Sequence, residues 1–371
     1  MANPKRILFL SLGTFSQMGG IERFNRCFLK ALDEIADVDV RAYSLYDRDA
    51  NALYFPPERT FFFRRKKLPF ILAVLQAAMK ADIIIVGHIN LSFLAVVLKY
   101  LKPSTRQLLI THGIDVWQHP HTGVKKRYLQ LCDQILAVSR FTKEKLVRMQ
   151  QTPADKISIF HNTIDPYLPI ATDFTKPAEL AARYGLQPED KVIFALTRLS
   201  SSEQFKGYDK VLRTLQRMVR QDPGIKYILG GKSDERERAR IQSLVASLGL
   251  EAHVVLPGFI TEAEVGDHYL LADCYIMPSK KEGFGIVYIE ALLYGLPVIA
   301  GNKDGSTDAL QDGRLGRLID PDSEEEIEAA LRQALAGDRR NRPSIQADVI
   351  RCFGFPVFRE RLSDMLKEST S

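Results

Sequence analysis

Apolar residues along the chain cluster in short runs, and between the runs they recur with helical spacing. Runs at 7–12, 39–43, 83–87, 107–111, 134–138 and 157–160 are a strand's length, with helical patterns between them. This alternation predicts a βαβ series, hence a parallel sheet covered on both faces. Residues 21–36 carry apolar side chains at helical spacing and predict an amphipathic helix. A second series predicts strands at 192–196, 226–229, 253–256, 274–277 and 297–300. A helix is expected from near Ser323, with Glu324, Glu325 and Glu326 in the first turn, where the dipole favours acids. Residues 165–188 are polar, rich in Pro and without clear period, and predict a linker. The segment from Phe353 to Lys367 predicts a helix returning to the first domain.

The expected fold class is therefore α/β, with two doubly wound, Rossmann-like domains. Their expected bounds are 1–168, joined by a crossover helix at about 353–371, and 169–352. Two such domains facing each other leave a central cleft at the carboxyl ends of both sheets, where ligands bind. A length of 371 residues exceeds a single core and favours two domains. Neither solenoid repeats nor low-complexity tracts interrupt the pattern.

The four cysteines, Cys27, Cys132, Cys274 and Cys352, are scattered without a C-x-x-C pair. This predicts reduced thiols in a cytoplasmic setting and argues against a zinc site or disulfide framework. The apolar run 7–10 is too short for a signal-peptide core, and no run reaches the length that crosses a bilayer. Charge is uneven. Residues 1–170 hold 24 Lys and Arg against 14 Asp and Glu, a net of +10, while the remainder holds 27 against 31, a net of −4. The first half is thus expected to meet an anionic partner. Residues 61–80 open with three consecutive phenylalanines and continue with Arg64-Arg65-Lys66-Lys67 and an apolar helix. They read as a peripheral membrane contact at the inner face or as a solvated basic loop before a core helix. Nucleic acid is not expected, because no binding module accompanies the charge.

The string Lys280-Lys281-Glu282-Gly283-Phe284-Gly285-Ile286-Val287-Tyr288-Ile289-Glu290 carries the most chemistry. Gly283 and Gly285 permit close backbone approach to a ligand, and the helix expected from Ile286 presents N–H groups that favour phosphate. A loop and about two helical turns set Glu282 and Glu290 on the order of 10 Å apart. One carboxylate can then hold a sugar hydroxyl and the other a ribose, with a diphosphate between. The bland reading is a strand–turn–helix corner with two solvated glutamates. Arg198 follows one strand, and Lys206-Gly207 opens the next helix. Two such cations can clamp a diphosphate and stabilise its charge as it leaves, or they are surface cations on a connection. Gly230-Gly231-Lys232 follows another strand, Gly19-Gly20 precedes the first helix, and His112-Gly113-Ile114-Asp115 follows the strand 107–111. Gly13 through Gly20 lacks the G-x-G-x-x-G spacing, which disfavours nicotinamide chemistry. Asp37-Val38-Asp39 and Asp47-Arg48-Asp49 match the metal motif D-x-D, but they read as capping and solubilising residues, and no metal is expected.

Together these strings resemble retaining GT-B glycosyltransferases of family 4, over nearly the whole chain and most specifically over 197–320. The matching elements are the E-x7-E signature, the R-x-L…K-G element, the H-G-x-D string and Asn162-Thr163-Ile164-Asp165, where Thr163 replaces the usual glycine. Gly305 to Ala309 and Asp312 to Gly316 match the region after the second glutamate. Lys232-Ser233-Asp234 departs from the family, which usually places another glycine there. The resemblance implies a metal-independent, cofactor-free hexosyltransferase acting with retention through front-face transfer. Glu282 would touch donor-sugar hydroxyls, and the backbone of Gly283, Phe284, Gly285 and Ile286 would hold sugar or phosphate. Glu290 would take the ribose, Arg198 and Lys206 the diphosphate. Gly231 would lie under the donor, and Gly19 and Gly20 would line the site from the first domain. His112 would meet the sugar near the reacting carbon, with Asp115 on the acceptor side. A UDP-hexose such as UDP-glucose is the first expectation for the donor and GDP-mannose the second. The acceptor is expected to be a saccharide, lipid-diphosphate-linked or otherwise anionic, in envelope or exopolysaccharide assembly, with a soluble acceptor as the alternative. The rival readings are a catalytically silent nucleotide-sugar scaffold and a GT-B phosphorylase or epimerase.

Overall fold

Seven parallel strands build the first sheet: β1 (Lys5–Ser11), β2 (Val38–Ser44), β3 (Thr60–Phe62), β4 (Ile83–Val86), β5 (Arg106–Thr111), β6 (Gln134–Ala137) and β7 (Ile157–Ile159). They pair in the order β3-β2-β1-β4-β5-β6-β7. Six more build the second: β8 (Lys191–Leu196), β9 (Ile225–Gly230), β10 (Val254–Gly258), β11 (Cys274–Met277), β12 (Val298–Gly301) and β13 (Arg317–Ile319). Their order is β10-β9-β8-β11-β12-β13, again all parallel. In each sheet the order reverses beside the first strand, between β1 and β4 and between β8 and β11, which is where doubly wound sheets open a ligand crevice.

This computed structural model describes residues 4–16, 19–117 and 119–367. Gln17 and Met18 of the loop before Gly19, and positions 368–371 of the expected crossover helix, lie outside the described residues. The chain divides into two units, Met1–Pro166 with Phe353–Ser371, and Tyr167–Cys352.

The central strands are apolar on both faces because helices cover both. Ile83, Ile84, Ile85 and Val86 are all buried, as are Cys274, Tyr275, Ile276 and Met277. The chain returns to the first unit through its last helix, Phe355–Lys367. Phe358 there meets Phe24 and Phe28 of the Gly20–Asp33 helix and Phe160 beyond β7, with ring centroids 4.8–6.2 Å apart. Lys5 Nζ reaches the Leu366 carbonyl at 2.8 Å, and Arg359 pairs with Glu34 at 2.6 Å.

Three local features differ from the sequence expectation. β3 and β13 are three-residue strands, too short to show a period. β3 is held instead by Phe61 stacking on Tyr43, 4.6 Å between ring centres. The stretch read as a linker contains the helix Ala178–Arg183, whose Leu180 is buried. Lys206 closes a short 3-10 turn, Gln204–Lys206, and the following helix begins at Tyr208.

Candidate active site

In the second unit the site residues gather at the carboxyl ends of β8, β9 and β11. Beyond β8, Arg198 extends into solvent with its side chain 65 % exposed and donates to Glu203 Oε1 at 3.0 Å. The chain turns through Gly207, whose φ of +82° and closeness to the Pro278 carbonyl leave no room for a side chain. That turn delivers Lys206 to Glu282 across 76 positions of sequence, and the ammonium and carboxylate form a close ion pair. Each side chain is only 14 % exposed. Phe205 beneath them lies within 5.6 Å of the ammonium groups of both Lys206 and Lys281.

Glu282 is positioned by its backbone as well. Its N–H donates to Asp304 Oδ2 at 2.7 Å, and its carbonyl accepts from Gly305 N at 2.9 Å. Asp304 Oδ1 accepts from Ser306 N at 2.9 Å, so a single buried carboxylate ties the loop after β11 to the loop after β12. Burial, and then the neighbouring Glu282 charge, push the Asp304 carboxyl up to about 7. Sequence reading passed over Asp304. Its only local signal is an Asp-Gly-Ser turn after a strand, and its partner lies 22 residues away.

Phe284 is buried, and Gly285, at φ +87°, caps the Ile286–Leu293 helix with no side-chain bond. A Cβ on Gly285 would lie 2.3 Å from the Tyr288 ring. Glu290 is fully buried within that helix and receives the Tyr269 hydroxyl at 3.3 Å. Gly231 has φ +138°, and a Cβ there would lie 1.7 Å from the Thr197 carbonyl oxygen. Its missing side chain is therefore needed for the close approach of the loops after β8 and β9. These loops are also joined by Leu199 N to the Lys232 carbonyl at 2.9 Å.

The first unit holds the other named residues at the corresponding end of its own sheet. The loop after β1 is folded around Asp47, which is fully buried and accepts from Thr14 N at 2.7 Å, Ser16 N at 2.8 Å and Ser44 Oγ at 2.8 Å. One of the two D-x-D strings is thus occupied in shaping this loop. Gly19 follows in extended backbone and leads Gly20 into its helix without a side-chain cap. His112, just past β5, has Nε2 2.9 Å from the Gly87 carbonyl, and its ring packs edge-on to Phe24 at 5.3 Å. Burial pulls the His112 imidazole down to about 3, so it is neutral at physiological pH. Because a carbonyl only accepts, Nε2 carries the proton and Nδ1 keeps its lone pair. Asp115 Oδ1 accepts from His112 N at 3.0 Å, while its Oδ2 is buried without a partner among the described residues. Burial pushes this carboxyl up to about 7.

Comparison with known proteins places two matches on the chain. Residues 18–167 match Glycosyltransferase Family 4, and residues 178–348 match Glycosyl transferases group 1. The GDP-mannose-dependent alpha-(1-6)-phosphatidylinositol monomannoside mannosyltransferase of Mycolicibacterium smegmatis is 32% identical over 177 residues, 46% of this chain and 45% of that protein. The mannosylfructose-phosphate synthase of Agrobacterium fabrum is 27% identical over 216 residues, 56% and 46% of the two chains. The chain spans about half the length of the curated relatives it matches. Among solved structures, Anabaena HepE in complex with UDP superposes with a TM-score of 0.78 at 19% identity, over 98% of this chain and all of that one. Sucrose-phosphate synthase from Thermosynechococcus elongatus gives 0.76 at 19% identity, over 98% of each chain.

Proposed function

The chain belongs to the GT-B glycosyltransferases of family 4 and group 1, and on that premise we propose that it transfers a hexose from a nucleoside-diphosphate sugar to an acceptor hydroxyl, with retention and without a metal. The observation that carries this reading is the shielded Lys206–Glu282 pair at the carboxyl ends of β8 and β11, with the exposed cation Arg198 just past the end of β8.

When a donor diphosphate arrives, Arg198 is free to exchange its surface partner for phosphate oxygens, since an exposed pair with Glu203 is worth little. Lys206 is then shared between the phosphate and Glu282. The carboxylate it partly releases turns to the sugar hydroxyls, which are hydrogen-bond donors. As the glycosidic bond breaks, charge builds on the leaving diphosphate, and both cations stabilise it there. No resident divalent ion is needed for that charge. His112, neutral and with Nδ1 as an acceptor, receives a hydrogen bond from the donor sugar, and Asp115 fixes its backbone. Glu290, its carboxylate held by the Tyr269 hydroxyl, takes the ribose. In the family's front-face route, the leaving phosphate accepts the proton of the acceptor hydroxyl.

Two donors fit. The UDP held by the Anabaena structure supports a UDP-hexose such as UDP-glucose, and the Mycolicibacterium relative's name supports GDP-mannose. A thermal-shift panel of UDP, GDP, ADP and their sugar conjugates without metal separates them, because a ligand of the folded state raises the melting temperature. A shift with one base names the donor. No shift with any base makes a silent scaffold the better reading. Transfer that requires free phosphate, or conversion of UDP-sugars without an acceptor, would replace it with a phosphorylase or an epimerase.

We further propose that the acceptor is lipid-linked and met at the inner membrane surface. The Lys67–Ala78 helix buries Phe70, Val74 and Ala78 but leaves Leu68 66 % and Leu72 60 % exposed. The exposed cations Arg64, Arg65, Lys66 and Lys67 sit at its start, a combination suited to an anionic bilayer. Among the described residues, no helix is long and apolar enough to cross a membrane.

A further inference from the structure

At the opposite end of the second sheet, where β8, β11 and β12 begin, lies a cavity of about 750 Å³. Ala178, Ala181, Leu186, Val192, Leu271 and Leu335 give it apolar walls. One region of the wall is charged. Asp273 receives Lys176 Nζ at 2.8 Å on one oxygen and the Arg339 guanidinium on the other. A third cation, Arg342, lines the same cavity at 1 % exposure and, among the described residues, touches no carboxylate. Its Nη2 donates to the Ala272 carbonyl, and its Nη1 has no partner among the described residues. The other acids of the lining are engaged elsewhere or at the rim. Asp190 accepts from Gln187 N at 2.8 Å, Asp338 pairs with Arg340, and Glu189 is exposed. Two cations therefore share one carboxylate while Arg342 has none, Lys191 being paired with Asp222, and a buried guanidinium without an anion is costly unless something compensates it.

We propose that this cavity is a second ligand site, separate from the donor site, for a small amphipathic anion: one carboxylate or phosphate on an apolar chain. The head group lies against Lys176 and Arg339, with the charge of the buried Arg342 reinforcing theirs from within the wall, and the body lies along the alanine and leucine walls. The donor residues follow the carboxyl ends of β8 and β11 and this cavity precedes their amino ends, so the two ligands do not compete. The inference stands whether or not the donor proposal holds.

The test is calorimetry on the full chain with decanoate, decyl phosphate and decan-1-ol, each with and without saturating UDP. Decanoate or decyl phosphate should bind about tenfold more tightly than the alcohol, the weight of a charge-assisted hydrogen bond, and UDP should leave that affinity unchanged. Ala181→Trp fills the cavity from a partly exposed helix position, and it should cut decanoate binding about tenfold while the melting temperature stays near wild type. Equal affinity for acid and alcohol, displacement by UDP, or undiminished binding in Ala181→Trp would each overturn the proposal.

Discussion

Replacing Lys206 by methionine keeps the length of the side chain and removes its charge, leaving Glu282 shielded and without its ammonium. Breaking a fully buried ion pair from one side costs about 3–5 kcal/mol. Here each side chain retains 14 % exposure, so water softens the loss, and about 2–3 kcal/mol is expected. For a unit of this size that corresponds to a fall of roughly 5–10 °C in its melting temperature. Lys206→Met, Glu282→Gln and the double variant form a cycle, with stabilities read by calorimetry. The double variant should recover much of the loss, giving a coupling of about 2 kcal/mol. The same proteins separate stability from binding. Lys206→Met should weaken UDP about tenfold, whereas Glu282→Gln, which frees the ammonium, should hold or tighten UDP yet lose transfer. A coupling below about 0.5 kcal/mol would show that the two charges do not act as a pair, and the account of donor binding would fail with it.

Arg198→Ala should leave stability within about 0.5 kcal/mol, since its partner pair is exposed, and should weaken UDP far more than uridine in calorimetry; equal losses would remove it from the diphosphate. Gly231→Ala should destabilise by about 3 kcal/mol or more, because a Cβ would collide with the Thr197 carbonyl at 1.7 Å; a near-native melt would contradict that geometry. Asp304 titrates near 7 in the fold against an ordinary 3.8. Its protonated form therefore favours the folded state, a contribution of roughly 4 kcal/mol that is whole below about pH 4 and lost as pH rises through 7. Asp304→Asn cannot titrate, so denaturation from pH 4 to 8 should show the variant gaining on wild type, and parallel curves would refute the assignment. Neutralising Arg64, Arg65, Lys66 and Lys67 should abolish flotation with anionic liposomes, and unchanged flotation would retire the basic patch as an anchor.

The frame of the fold was legible because its central strands are apolar throughout, a pattern that requires cover on both faces. Residues 83–87 and 274–277 could hardly be read otherwise. The short edge strands β3 and β13 were not legible, since their pairing depends on neighbours such as Tyr43 rather than on any period of their own. The E-x7-E string and the pair Arg198 and Lys206 were visible as patterns, but the contact between Lys206 and Glu282 spans 76 positions and exists only once Gly207 turns the chain. Asp304 escaped notice as a structural residue for the same reason, and Asp47, read among capping aspartates, gave no sign of which loop it would hold. Each serves by accepting backbone N–H groups, and any aspartate near a turn looks alike until the turn is folded. Gly231 was singled out as a residue that lets a ligand approach, and its folded environment adds a demand from Thr197 that the string did not reveal.

The Phe355–Lys367 helix closes over Phe24, Phe28 and Phe160, residues translated long before it. During synthesis the first unit is begun first and finished last. Its aromatic face waits uncovered while all of Tyr167–Cys352 emerges and folds. A nascent chain stalled before residue 355 would therefore hold a complete second unit beside an incomplete first one, with three phenylalanines lacking their cover. Such a chain is a natural client for a chaperone that binds exposed aromatic surface, and a protein shortened by that one helix should aggregate through its oldest residues rather than its newest.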